Sequence, residues 1–221
     1  MRGAGTAPDP ADTSAVGSRA VAVIGMACRF PGADDPAALW TLLENGTDAL
    51  GCSGASPPAR HRRDTGSAWG GRLDGVELFD AEYFGIAPRA VTKMDPQQRL
   101  FLEVAQEALD DAGQPADRIA GSQTGVFVGQ VGSDYWNLQR THPDTLDLHG
   151  MTGAGSRAVT SGRVSHFFDL RGPSYTVDTA ASSSLVAVHT AVQSLVAGEC
   201  TMAVAGGVNL VLSPALAINF A

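Results

Sequence analysis

The stretch Tyr175-Thr176-Val177-Asp178-Thr179-Ala180-Ala181-Ser182-Ser183-Ser184-Leu185 decides the reading of this chain. A break at Arg171-Gly172-Pro173 precedes a short strand at Ser174 to Val177, which runs into a turn of small residues. A helix follows at once. Leu185, Val186, Val188, Val192, Leu195 and Val196 make an apolar side over residues 182–197, and Gly198 closes it. A strand, a tight turn and a helix in that order present residue 181 or 182 at a helix N-terminus. Unpaired backbone N–H groups and the positive end of the helix dipole favour developing negative charge there. A cysteine so placed has a lowered pKa and a larger thiolate fraction, and a backbone N–H beside it can stabilise an oxyanion. The residue found there is alanine, Ala181.

Working outward, strands and helices alternate. Ala20 to Met26 (AVAVIGM) reads as a buried strand, and Thr124 to Gly129 (TGVFVG) as another bounded by glycines. Met202 to Leu212 (MAVAGGVNLVL) is strand-like, with Gly206 and Gly207 inside it to allow close backbone approach. Asp35-Pro36 opens a helix with an apolar face at Leu39, Trp40, Leu42 and Leu43, and Asn45-Gly46 ends it. Asp95-Pro96 opens the strongest helix of the first half, with Leu100, Val104, Ala108 and Leu109 among its apolar positions and a stop at Ala112-Gly113. Residues 154–168 are amphipathic and helical in pattern. Residues 50–78 and 130–151 read as loops, the second carrying Tyr135, Trp136 and two histidines. This alternation predicts an α/β architecture with a largely parallel sheet.

The bulk properties fit that reading. The chain has 221 residues, 44% of them hydrophobic and 17% charged, enough for a sizeable core. Many of its 26 glycines lie singly between apolar runs, which suits turns and close approaches. A net charge of -8 disfavours nucleic acid and anionic membrane surfaces as partners. Cys28, Cys52 and Cys200 form no CxxC pair, and no His/Cys cluster has metal-ligand spacing. That predicts a reduced, cytoplasmic protein without a metal. Neither a signal sequence nor an apolar run of membrane-spanning length is present. Residues 1–18 read as a disordered leader and 19–221 as the folded domain. The basic run Arg60-His61-Arg62-Arg63 reads as solvated surface or a contact for an acidic partner.

The run VDTAxSSSLVAVH closely resembles the active-site signature of the β-ketoacyl synthases (ketosynthases) of type I polyketide synthases, in which x is cysteine; here x is Ala181. VIGMACRFPGA, LFDAEYFGIAPR, MDPQQRLFLEVAQEALDDAG, TGVFVG, SGRVSHFFDLRGPS and AVQSLVAGECTMAVAGGVNL resemble other landmarks of the family, in the right order. The resemblance runs from about Val21 to the end. It implies a thiolase-like layered αβαβα fold, of which this chain is the first half only. It implies a homodimer, and substrates carried as thioesters on the phosphopantetheine arm of an acyl carrier protein, with no cofactor bound directly. The family's cysteine accepts an acyl group; a malonyl-type extender loses CO2, and its carbanion attacks the acyl thioester. Ala181 then marks the nucleophile position, its backbone N–H belonging to the oxyanion hole. Ser182 beside it, with Met151 and Thr152 near the family's active-site mouth and dimer contact, are candidate substrate contacts. The two catalytic histidines and their lysine belong to the second half, and His61, His142, His149, His166 and His189 match no catalytic motif.

Other constellations have plainer readings. Ser182, Ser183 and Ser184 with His189 and Asp178 suggest a hydrolase, but no GxSxG elbow exists and hydroxyls here suit capping. The GxGxxA pattern at Gly153 to Ala158 lacks a good strand before it, so a turn opening a helix is expected rather than a dinucleotide site. Asp178 is expected to order the turn through backbone hydrogen bonds rather than act as a base. Three functional classes compete: a condensing acyltransferase whose cysteine was replaced by design or by descent, a non-catalytic carrier-docking or structural domain, and a decarboxylase-like relative. Ala181 offers the last of these no stabilising side chain.

Overall fold

Both halves of the chain build onto one parallel sheet. The computed structural model describes residues 20–49, 71–142 and 155–213. Strand β1 (Thr124–Gln130) is central and buried along its whole length. β2 (Ser174–Val177) lies on one side with Phe127 opposite Tyr175, and β3 (Met202–Val208) on the other with Phe127 opposite Ala205, giving the order β2-β1-β3.

The side-chain alternation of β1 divides the core in two. Val126 and Val128 face one layer, α3 (Pro96–Asp111) and α6 (Val159–Phe167), where Phe101, Leu102, Ala105, Leu109, Val164 and Phe168 are buried. Phe127 faces the opposite layer, α7 (Ser183–Val196), against Ala187, Ala191 and Cys200. The result is a three-layer α/β/α sandwich. Shorter helices flank it: α1 (Pro36–Glu44), α2 (Pro88–Val91), α4 (Ala116–Ile119) and α5 (Asp134–Arg140).

Local signals set the helix limits. Asp35 caps α1 by accepting from Ala38 N–H at 2.8 Å, and Gly46 leaves it at φ 61. Asp95 caps α3, its Oδ1 accepting from Gln97 N–H at 2.8 Å, and Gly113 ends that helix at φ 62. Because Asp95 is only 5% exposed, Asp95→Ala strands the Gln97 N–H away from water. We expect a loss of about 2 kcal/mol in denaturant unfolding.

Several sequence expectations change. Residues 20–26 form no strand: the segment leans on α3 rather than on an edge of the sheet. Met26 N–H donates to Asp111 Oδ2 at 2.8 Å, and a Cβ on Gly25 would stand 2.4 Å from Ala108 O. Val21, Val23, Ile24 and Met26 are exposed rather than buried. On α3 the buried face is Phe101, Leu102, Ala105 and Leu109, while Leu100, Val104 and Ala108 are half-buried. Trp40 and Leu43 of α1 point to solvent. Residues 134–140, read as loop, are helix α5, held because Asp134 Oδ2 accepts from both Leu212 and Ser213 N–H at 3.1 Å. β3 stops at Val208 rather than Leu212. The expected apolar side of α7 is divided: Val186, Val192 and Leu195 are half-buried, Leu195 against the core, while Leu185 is 75% exposed and Val188 and Val196 also lie open; the fully buried positions are Ser183, Ala187, Ala191 and Ser194. The leader, the basic run at 60–63, Met151 and Thr152 fall outside the described residues.

Candidate active site

The carboxyl end of the sheet is where the chemistry-bearing turn sits. Two glycines bring α7 down onto it. A Cβ on Gly129 would meet the backbone of Ser183 and Ser184 at 2.5 Å, and one on Gly207 would meet Ser184 Cβ at 2.5 Å. The bare backbone of β1 and β3 therefore supports the first turn of α7, the close approach expected for Gly207. Gly206 opens the other face, where a Cβ would stand 3.2 Å from the Phe101 ring.

The turn from β2 into α7 is wired internally. Asp178 Oδ1 accepts from Ala180 N–H at 3.1 Å. Ser183 Oγ accepts from Thr179 N–H at 2.9 Å and donates to Ala180 O at 2.6 Å. Ser182 Oγ donates to Thr179 O at 2.8 Å. These bonds hold Ala180 in the left-handed region at φ 57, a conformation that costs a non-glycine residue about 1–2 kcal/mol. The strained residue lies immediately before Ala181, which is exposed at the N-terminus of α7 together with the capping residue Ser182.

Asp178 orders the turn, as expected, and also pairs with Arg157, whose Nη1 donates to Val131 O at 2.7 Å as well. The Ala180 N–H first, and then Arg157, hold the Asp178 carboxyl below the usual carboxylate range. A depressed folded-state pKa stabilises the fold above the ordinary carboxylate value of about 3.9, and that contribution disappears as pH falls through the folded value. We therefore expect Asp178→Asn to lower the melting temperature at pH 7. The gap to the parent should close as pH drops below about 4, which thermal scans across pH will check.

These contacts set the hydrolase pattern aside. Asp178 is engaged by Arg157 rather than by His189, which is exposed on α7, and the Ser182 and Ser183 hydroxyls are spent on the turn. Gly155 of the GxGxxA pattern instead makes room for an indole: a Cβ there would be 2.6 Å from the Trp136 ring. Burial, then Asp35, pushes the Cys28 thiol up, disfavouring thiolate. Cys200 is buried in the core under α7. Among the described residues, no group of His, Cys, Asp and Glu could hold a metal ion.

Two neighbours of the turn are not marked by the sequence: Arg157 lies inside a glycine pattern, and Gln130 at the start of a segment that reads as loop. Together with Ser156, Thr176, Val177 and Asp178 they line an open cleft of about 280 Å³ between the ends of β1 and β2 and the start of α6. The signal available was the polar residue directly after the apolar run TGVFVG.

The comparisons with known proteins agree with this geometry. Residues 18–221 match the family model described as beta-ketoacyl synthase, N-terminal domain. Highly reducing polyketide synthase 40 of Fusarium pseudograminearum is 45% identical over 223 residues, covering 95% of this chain and 8% of that protein. Polyketide synthase GfsA of Streptomyces halstedii is 44% identical, covering 96% of this chain and 3% of its own length. Among solved structures, the ketosynthase from module 6 of the bacillaene synthase of Bacillus subtilis 168 aligns with TM-score 0.74 at 32% identity, over 89% of this chain and 33% of that one. An oxazolomycin ketosynthase domain from Streptomyces albus JA3453 aligns with TM-score 0.78 at 34% identity, over 90% and 36%. The chain thus spans a few per cent of these curated relatives and about a third of the solved domains, and its α/β layers are part of a thiolase-like fold. It belongs to the beta-ketoacyl synthase family, of which it carries the N-terminal domain.

Proposed function

We propose that this chain is the first half of a domain that extends acyl thioesters by decarboxylative condensation, with position 181 as the site of acyl attachment. The observation that carries this reading is the strained Ala180 leading into an exposed residue at the N-terminus of a 14-residue helix. In the complete reaction a Cys thiolate at 181 displaces the carrier thiol from an acyl thioester. The extender loses CO2, and its carbanion attacks the enzyme-bound acyl carbon, releasing the cysteine. The Ala181 N–H, at the positive end of α7, is positioned to hold the oxyanion. Ala181 itself has no lone pair to offer, so the chain as written is inactive in acyl uptake. It stands where the family has cysteine, and we read it as a replaced cysteine, because the residues around it keep the family pattern.

The histidines for decarboxylation come from the second half of the domain. Acyl carrier proteins deliver both substrates on phosphopantetheine. β2 is one of the two outer strands of the described sheet, with Tyr175 half exposed, and its free edge suits pairing with a second copy. Residues 19–221 form the domain portion, residues 1–18 lead into it, Met151, Thr152 and Ser182 contact substrate, and the protein works in the cytoplasm. No described helix is long and apolar enough to cross a membrane.

A condensation assay on the complete domain carrying Ala181→Cys, with acyl- and malonyl-loaded carrier protein, tests the reading. A product two carbons longer with release of CO2 is expected. Carrier binding without product would instead establish a docking module.

A further inference from the structure

Gln130 is 1% exposed at the end of β1. Its Oε1 accepts from Thr160 Oγ1 at 2.6 Å, which leaves Nε2 as the free end of the amide, and that atom has no hydrogen-bond partner. A buried amide donor without a partner is costly, so an unpaired one calls for a missing acceptor. Gln130 is also a wall of the cleft whose other lining residues include Ser156, Arg157, Thr176 and Asp178. Thr176, Val177 and Asp178 of that wall are the last residues before the turn that carries residue 181, three positions beyond Asp178 in the chain. The two full charges present, Arg157 and Asp178, are paired with each other. The cleft therefore offers polar contacts with no net charge, which suits a neutral oxygen rather than a carboxylate or a plain hydrocarbon.

We propose that Gln130 is a specificity-determining residue that selects acyl groups bearing a hydroxyl or keto oxygen close to the thioester, by donating its Nε2–H to that oxygen. The inference rests on the condensing-enzyme reading above. A site built to hydrogen-bond a substrate oxygen rejects the analogue lacking it, because its own polar group is then left unpaired.

The test uses the complete domain with Ala181→Cys and measures rates of acyl-enzyme formation by intact mass. The paired probes are the 3-hydroxybutyryl and butyryl thioesters of N-acetylcysteamine. The hydroxylated probe is expected to react at least about tenfold faster. In Gln130→Met, and in the isosteric Gln130→Glu, which removes the donor while keeping an acceptor for Thr160, the preference is expected to fall to about unity. Unchanged melting temperatures would show that each variant folds, and either one suffices. Equal rates in the Gln130 enzyme, or a preference that survives loss of the amide donor, would overturn the role of Gln130 while leaving acyl transfer intact. No adduct with either probe would overturn the condensing-enzyme reading itself, and this inference with it.

Discussion

Placing cysteine at position 181 is expected to turn an inert protein into one that takes up a single acyl group. The parent chain should show no adduct at its two described thiols: Cys200 is buried under α7, and burial and Asp35 push the Cys28 thiol up, while Cys52 lies outside the described residues. Ala181→Cys adds a thiol at the N-terminus of α7, where the dipole favours thiolate. It also follows the strained Ala180, which the Asp178 and Ser183 hydrogen bonds keep in place whatever stands at 181. The substitution fits an exposed position, so the fold should not suffer. Intact mass after incubation of the complete domain should rise by one acyl group, with the modified peptide containing residue 181. The rate should rise with pH as the thiol ionises. A gain of acyl mass on the parent, or on another residue of the variant, would remove position 181 from the chemistry.

The second large effect concerns the glycines under the turn. Gly129→Ala puts a methyl 2.5 Å from the backbone of Ser183 and Ser184, and backbone cannot rotate away as a side chain can. The first turn of α7 must lift off β1. We expect a loss of about 3 kcal/mol, the upper end for an added methylene in a packed site, or roughly 6–12 °C in melting temperature for a domain of this size. Gly207→Ala meets Ser184 Cβ at the same distance and should cost a similar amount, since no side-chain rotation moves a Cβ. Gly162 supplies the contrast. It sits inside α6 with open space around the place a Cβ would take, so Gly162→Ala should stabilise by up to about 1 kcal/mol through helix propensity. In the Ala181→Cys background, Gly129→Ala should slow acylation as well, because the helix end that favours the thiolate has moved. Parent-like stability for Gly129→Ala would mean that α7 does not rest on β1 as described.

How far the fold could be read from residues alone follows from which signals are local. Helix limits at Asp35, Asp95, Gly46, Gly113 and Gly198 depend on the chemistry of one or two residues, and all appear as expected. β1 and β2 were legible because their apolar runs are bounded by glycine and proline. Residues 20–26 share that composition, but a strand exists only where a neighbour supplies the ladder, and this segment lies against α3 instead. The burial of α7 is the most instructive difference. Large apolar residues normally mark the buried side of a helix, yet here glycines on β1 and β3 draw the helix so close that its fully buried positions are the small Ser183, Ala187, Ala191 and Ser194, with Leu195 only half-buried beside them. Sequence periodicity measures hydrophobicity, whereas this interface is set by size. At the site, the turn and position 181 were legible through the motif around them. Arg157 and Gln130 were not, because the register that brings Gly129 beside Val177 is a property of the sheet. Nothing local in the sequence announces it.

The central claim is that the fold prepares residue 181 for a nucleophile, and the most direct measurement is the ionisation of a thiol placed there. Alkylation rates of Ala181→Cys by iodoacetamide, followed by mass from pH 5 to 10, give its titration midpoint. The account predicts a midpoint at least about one unit below the ordinary cysteine value of about 8.5. A midpoint at or above 8.5 would contradict it.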